Sequence, residues 1–224
     1  MKTRLLFLLI IATVFTSCSR EIYNNKEYLS SHNLEGKKLA VLPVEVFYSG
    51  QRPAKADWYA EEQTASLNLQ ADIAQTFLAY KNEHERKNQQ FKVKLMSADT
   101  VNNKLYTKMM DLRTAWTMAP DSVGRMVGAD LVLKVRMNRE RYMSEKAANW
   151  ANAGFFVLNG LLGNEYNPEA FGYVKASDTD YEISLIDTKT GEVISRYNPN
   201  QQNRQKIKKI NKLMASKSVV FAGE

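Results

Sequence analysis

The chain has 224 residues, 44% of them hydrophobic and 25% charged, with a formal net charge of +7 and a single cysteine. That apolar share is ordinary for a globular protein and can supply a real core, while one cysteine excludes a disulfide scaffold, so stability must come from packing. The basic excess is modest and favours anionic lipid headgroups or cell-wall polymer over nucleic acid as the contact.

Lys2 and Arg4 form a short positive start, and Leu5 to Phe15 is an apolar run broken only by Thr13. Thr16 and Ser17 close it with small residues directly before Cys18. This pattern defines a secretory signal over residues 1–17. The run is too short for a permanent spanning helix, which needs ~20 apolar residues. Phe15-Thr16-Ser17-Cys18 resembles the bacterial lipobox, with Phe where an aliphatic residue such as Leu is usual. The resemblance implies cleavage before Cys18 and lipid on its thiol. A lone thiol in an oxidising compartment is a liability unless modified, which agrees with this reading. More than one acyl chain is expected, because a single chain anchors only marginally.

Loss of residues 1–17 removes Lys2 and Arg4 and no acid, leaving roughly 207 residues with a charge of about +5. This length suits one domain, or one domain with an appendage. Residues 18–36 are polar and aperiodic and are expected to be a lipidated tether, with a reach of about 20–25 Å.

Lys37 to Phe47 is nearly continuous in apolar residues (Leu39 to Leu42, Val44, Val46) and predicts a strand buried on both faces. Trp58 to about Arg86 is helical, with Leu69, Ile73, Phe77 and Tyr80 in one stripe widened by Leu67, Ala74 and Leu78. Phe91 to Met96 alternates as a half-buried strand. Ser97-Ala98-Asp99-Thr100 starts a helix whose apolar positions are Val101, Leu105, Met109 and Leu112. Pro120 opens another, with Val123, Met126 and Val127 facing inward and Gly128 as its C-cap. Asp130 to Met137 is a strand.

Residues 139–177 form an irregular insert. Asp180 to Ile186 and Val193 to Tyr197 are paired strands around an Asp187-Thr188-Lys189-Thr190-Gly191-Glu192 turn. Residues 199–224 are a basic amphipathic tail, with Ile207, Ile210, Leu213 and Met214 among lysines.

Three of these stretches carry a resemblance. Lys38 to Pro43 resembles the opening strand of the Tol-system beta-propeller protein's amino-terminal domain and of the curli-secretion lipoprotein family. Val127-Gly128-Ala129-Asp130-Leu131-Val132-Leu133 is similar to their helix-to-strand junction, and Tyr181 to Val193 to their paired strands. The resemblance spans roughly residues 37–198. It implies an α/β (α+β) domain with a single mixed sheet, helices mainly on one face, an irregular insert and a C-terminal helix. It also implies an oligomerising or docking unit of an envelope assembly, not an enzyme. The insert lacks two long alternating runs, so a transmembrane barrel role is not expected.

No catalytic, metal or cofactor site is expected. His32 lies in the tether and His84 at a charged helix end, neither at ligand spacing to a partner. Asp178, Asp180 and Asp187 do not match a calcium loop. The candidate interface is the apolar patch Phe155, Phe156, Leu158, Leu161 and Leu162, flanked by Trp150 and Tyr166. It is either a cover for the sheet, a contact for protein partners or self-association, or a membrane-dipping segment. The alternative function is a lipoprotein that captures a small molecule or glycan in a pocket lined by the insert. Cys18 is followed by Ser19 rather than Asp, which points to outer-membrane delivery, facing the periplasm.

Overall fold

In the computed structural model, residues 22–52, 57–85, 93–108, 110–144, 146–149 and 176–197 are described. They form one open, mixed, seven-stranded sheet with helices, as the α/β reading expects. The strands are β1 (Ile22–Asn24), β2 (Lys38–Val41), β3 (Glu45–Gly50), β4 (Lys94–Leu95), β5 (Leu131–Arg141), β6 (Ser177–Asp187) and β7 (Val193–Tyr197). The helices are α1 (Lys26–Ser31), α2 (Trp58–Glu85), α3 (Ala98–Thr107), α4 (Leu112–Thr117) and α5 (Pro120–Val127). The strand order is β1-β7-β6-β5-β2-β4, with β3 also paired to β5.

The central strand β5 carries the two-sided burial. Leu131, Leu133, Val135 and Met137 point to one core, while Val132 points to a second. The first core is closed by Ile73 and Phe77 of α2 and by Tyr28 of α1. The second holds Val101 and Leu105 of α3 with Val123 and Val127 of α5. The helices thus divide between both faces instead of lying mainly on one. The reason is the parallel β2–β5 pair, whose alternate residues are all apolar and need a cover on each side.

Three further expectations are corrected by the geometry. The run from Lys37 to Phe47 is two strands, because β2 pairs Val41 with Leu133 and β3 pairs Glu45 with Arg136. Three residues therefore oppose two, and the bulge falls at Pro43, which has no N–H to give the ladder. The slip keeps Val44 and Val46 in the same core as Leu39 and Val41. The helix begun at Ser97 stops at Thr107, and Asp111 caps a separate α4 by accepting from Thr114 N at 2.7 Å. Met126 and Leu78, read as core, are exposed.

The largest change concerns the expected tether. Residues 22–36 are built into the domain. β1 pairs with β7, and Ile22, Tyr28 and Leu34 are buried. Asn25 makes this possible by capping α1, its side chain accepting from Tyr28 N at 3.1 Å. The insert is also shorter than 139–177, since Arg139 to Arg141 pair with Thr179 to Ser177.

Candidate functional site

The residues singled out by sequence (Cys18, Trp150, Phe155, Phe156, Leu158, Leu161, Leu162 and Tyr166) lie outside the described residues, as does the tail. Among the described residues no three His, Cys, Asp or Glu side chains are grouped to hold a metal ion. No described helix is long and apolar enough to cross a membrane. His32 is exposed and stacks on Tyr28, ring centroids 4.1 Å apart.

Two polar clusters stand out. The first joins the N-terminal segment to the β6–β7 hairpin. Tyr28 Oη donates to Asp187, and Lys37 Nζ donates to both Asp187 Oδ2 and Tyr28 Oη at 3.2 Å. The other Asp187 oxygen accepts from the turn amides of Lys189 and Thr190 at 2.7 and 3.0 Å. Burial pushes the Asp187 carboxyl up, but hydrogen bonds from Tyr28, Thr190, Lys189 and Lys37 outweigh it and hold its pKa at about 2. Burial and the bond to that carboxylate push the Tyr28 hydroxyl above its ordinary value. Each group is occupied by the others, so this is a clasp, with no base free to act on a substrate.

The second cluster surrounds the outer edge of β3, where no strand among the described residues pairs. Along α2, Glu62, Ser66 and Gln70 are buried at four-residue spacing and continue the stripe that ends at Ile73 and Phe77. Glu62 turns toward β3 and accepts the outward Tyr48 N–H at 3.0 Å, while its other oxygen accepts from Arg113 of α4 at 2.7 Å. Gln70 Nε2 donates to Val41 O at 2.8 Å. An edge N–H is thus satisfied from within, which blunts the edge against indiscriminate strand pairing. On the opposite face of β3, the buried Glu45 pairs with Lys134 at 2.7 Å.

Around this edge arginines lie on aromatic rings. Arg113 Cζ is 4.6 Å from the Tyr59 ring centre, Arg136 4.9 Å from Phe47 and Arg141 5.3 Å from Tyr48. Phe47 meets Trp116 edge-on at 6.1 Å, and Tyr48 meets Trp58 at 6.4 Å. Phe47 and Tyr59 are each 37% exposed. The indole N–H groups of Trp58 and Trp116 are buried and have no hydrogen-bond partner among the described residues. Stacking holds each guanidinium flat against a ring in advance, so less side-chain freedom is lost when a partner binds. Exposed arginine with tyrosine, phenylalanine and tryptophan is the composition that dominates binding energy at protein interfaces.

No protein-family model and no curated protein sequence matches the chain. The chain is similar to the LpoB C-terminal domain of Salmonella enterica, at 14% identity over 76% of this chain and 86% of that one, with a TM-score of 0.33. It is similar to lipoprotein GNA1162 of Neisseria meningitidis at 12% identity, covering 80% and 92% of the two chains, with a TM-score of 0.38. A PelC dodecamer from Paraburkholderia phytofirmans matches at 12% identity, covering 83% and 86%, with a TM-score of 0.30. At these identities no residue of the β3 cluster is carried over from those proteins.

Sequence reasoning missed this cluster. Its one local signal is the polar continuation Glu62, Ser66, Gln70 in phase with Ile73 and Phe77. The remaining contacts bring together β3, α2, α4 and β5, which no sequence spacing reveals.

Proposed function

We propose that the chain is a lipid-anchored, non-enzymatic lipoprotein of the bacterial envelope that docks a protein partner through the β3–α2–α4 surface. The observation that carries this reading is the group of exposed Arg113, Arg136, Phe47 and Tyr59, stacked in pairs around a sheet edge. The lipobox-like Phe15 to Cys18 supports the anchor, with delivery to the outer membrane and a periplasmic orientation. The three stretches resembling curli-secretion and Tol-system domains support an assembly or docking role. The apolar patch between Trp150 and Tyr166 is proposed as a second contact, with a partner or with another copy of the chain.

The test is co-purification from detergent-solubilised envelopes, followed by native mass spectrometry. The wild-type chain is expected to carry a stoichiometric protein partner or a further copy of itself. A Phe47→Ala, Arg113→Ala variant is expected to lose it, since core interface residues of these types contribute about 2 kcal/mol or more. A strictly monomeric wild-type chain, or a variant that keeps its partner, contradicts the reading.

A further inference from the structure

The ion pairs around the β3 edge differ in which partner faces solvent. The Glu62 side chain is 5% exposed and that of its partner Arg113 53%. Glu45 is 8% exposed and Arg136 beside it 46%. Burial thus hides both carboxylates and leaves both guanidinium groups at the surface. Only the Glu61–Arg141 pair, on the Tyr48 side of the edge, is reversed, at 39% and 19%. The hydrogen bonds divide in the same way. Glu62 uses both oxygens inside the domain, on Tyr48 N–H and on Arg113. Glu45 Oε1 is held by Lys134 at 2.7 Å. Its Oε2 lies 3.8 Å from Arg136 Nε, too far for a hydrogen bond, and the Arg136 side chain has no other acceptor among the described residues. The Arg113 side chain makes one such bond, to Glu62.

The two guanidinium groups belong to one connected patch. Arg136 lies over Phe47, Phe47 meets Trp116 edge-on, and Trp116 is one turn from Arg113 along α4. Arg113 lies in turn on Tyr59. A guanidinium stacked flat on a ring keeps its N–H donors in its own plane, where a planar acceptor can meet two of them at once.

We infer that the protein docked at this surface presents an acidic segment, whose Asp or Glu carboxylates accept from Arg136 and Arg113 while apolar side chains beside them contact Phe47 and Tyr59. The choice of partner chemistry rests on the docking reading proposed above. A carboxylate is an acceptor only, which suits a patch with surplus donors and occupied acceptors. The hydroxyl groups of a sugar would call for acceptors as well as donors. A second copy of this chain, related by a twofold axis, would set the same patch against itself. Guanidinium would then face guanidinium, with Glu45 and Glu62 buried too deeply to reach across.

The test maps what the surface touches. A photoreactive side chain is placed at Phe47 of the full chain in intact cells, and the crosslinked peptide is sequenced by mass spectrometry. The expected peptide belongs to another protein and carries Asp or Glu within a few residues of the adduct. With that protein purified, Arg136→Gln is expected to weaken binding about tenfold or more, and binding of the wild-type chain is expected to weaken as salt is raised. Arg136→Glu is expected to abolish binding, and replacing the mapped carboxylate by Lys to restore it. Circular dichroism and the urea midpoint check that these variants are folded, and the mapped peptide decides independently of them. A mapped segment without acidic residues, a carbohydrate adduct or a second copy of this chain at Phe47 overturns the inference. Wild-type affinity in folded Arg136→Gln, or a charge swap that restores nothing, does the same. Absence of any adduct at both Phe47 and Tyr59 is failure of the docking reading itself, so the two failures are distinguishable.

Discussion

Replacing Glu62 by Ala removes the acceptor of a half-buried backbone N–H and the partner of Arg113 in a single step. The Glu62 side chain is 5% exposed and that of Arg113 53%, so the two halves of the loss differ in weight. The Tyr48 N–H to carboxylate bond is charge-assisted and half-buried, contributing about 1.5–3 kcal/mol. Without it the N–H faces the edge of β3 unpaired. The Arg113 half is half-solvated and contributes at most about 1 kcal/mol. Glu62→Ala should therefore destabilise the domain by about 3 kcal/mol. Glu62→Gln keeps an oxygen for Tyr48 N–H and loses mainly the ion pair, for a cost of about 1 kcal/mol. Urea unfolding of the three chains, followed by circular dichroism, measures the difference in midpoint at unchanged slope. Equal midpoints for the Ala and Gln variants would refute the reasoning, since the Tyr48 bond would then contribute nothing.

Further outcomes follow from other sites. The folded pKa of Asp187, about 2, lies below the ordinary carboxylate value of 3.8, so its contribution is present above about pH 4 and is lost as pH falls through about 2. That part of the acid loss, on the order of 2 kcal/mol, should be missing from the urea midpoint-versus-pH curve of Asp187→Asn, and parallel curves would contradict it. Gly124→Ala would place a Cβ 2.3 Å from Thr188 Cγ2 and 2.6 Å from Val132 Cγ1. Overpacking of that kind costs about 1–3 kcal/mol and outweighs the helix-propensity gain of about 1 kcal/mol, so Tm should fall, and an unchanged or higher Tm would refute the packing argument. Asn25→Ala removes the α1 cap at a cost of about 1 kcal/mol, and should lower protection of the β1–β7 amides in hydrogen exchange before that of β5.

Sequence patterns gave those parts of the fold that local chemistry decides. Ser97 caps α3 by accepting from Thr100 N, Pro120 sits in the first turn of α5, and Gly128 takes the left-handed C-cap position at φ 69°. The Asp187 turn and its returning strand are where the residues place them. What stayed hidden depends on long-range partners. Ile22, Tyr28 and Leu34 are anchors six residues apart with mostly polar residues between them, too sparse to show a strand or helix pattern, so an ordered segment reads as a tether. Glu62 and Gln70 give no apolar signal, and their partners, Tyr48 N–H, Arg113 and Val41 O, come from other elements. The Pro43 bulge is silent in an unbroken apolar run. The arginine–aromatic stacks join residues that sequence alone gives no reason to pair.

The central claim is that the β3–α2–α4 surface meets a protein in the envelope. Site-specific photo-crosslinking in intact cells tests it directly, with the reactive side chain placed at Phe47 or Tyr59, and at Tyr106 of α3, 53% exposed, as the control. The expected result is one discrete crosslinked protein species shared by positions 47 and 59 and absent at 106. No adduct at 47 and 59, or the same adduct at 106, would contradict it.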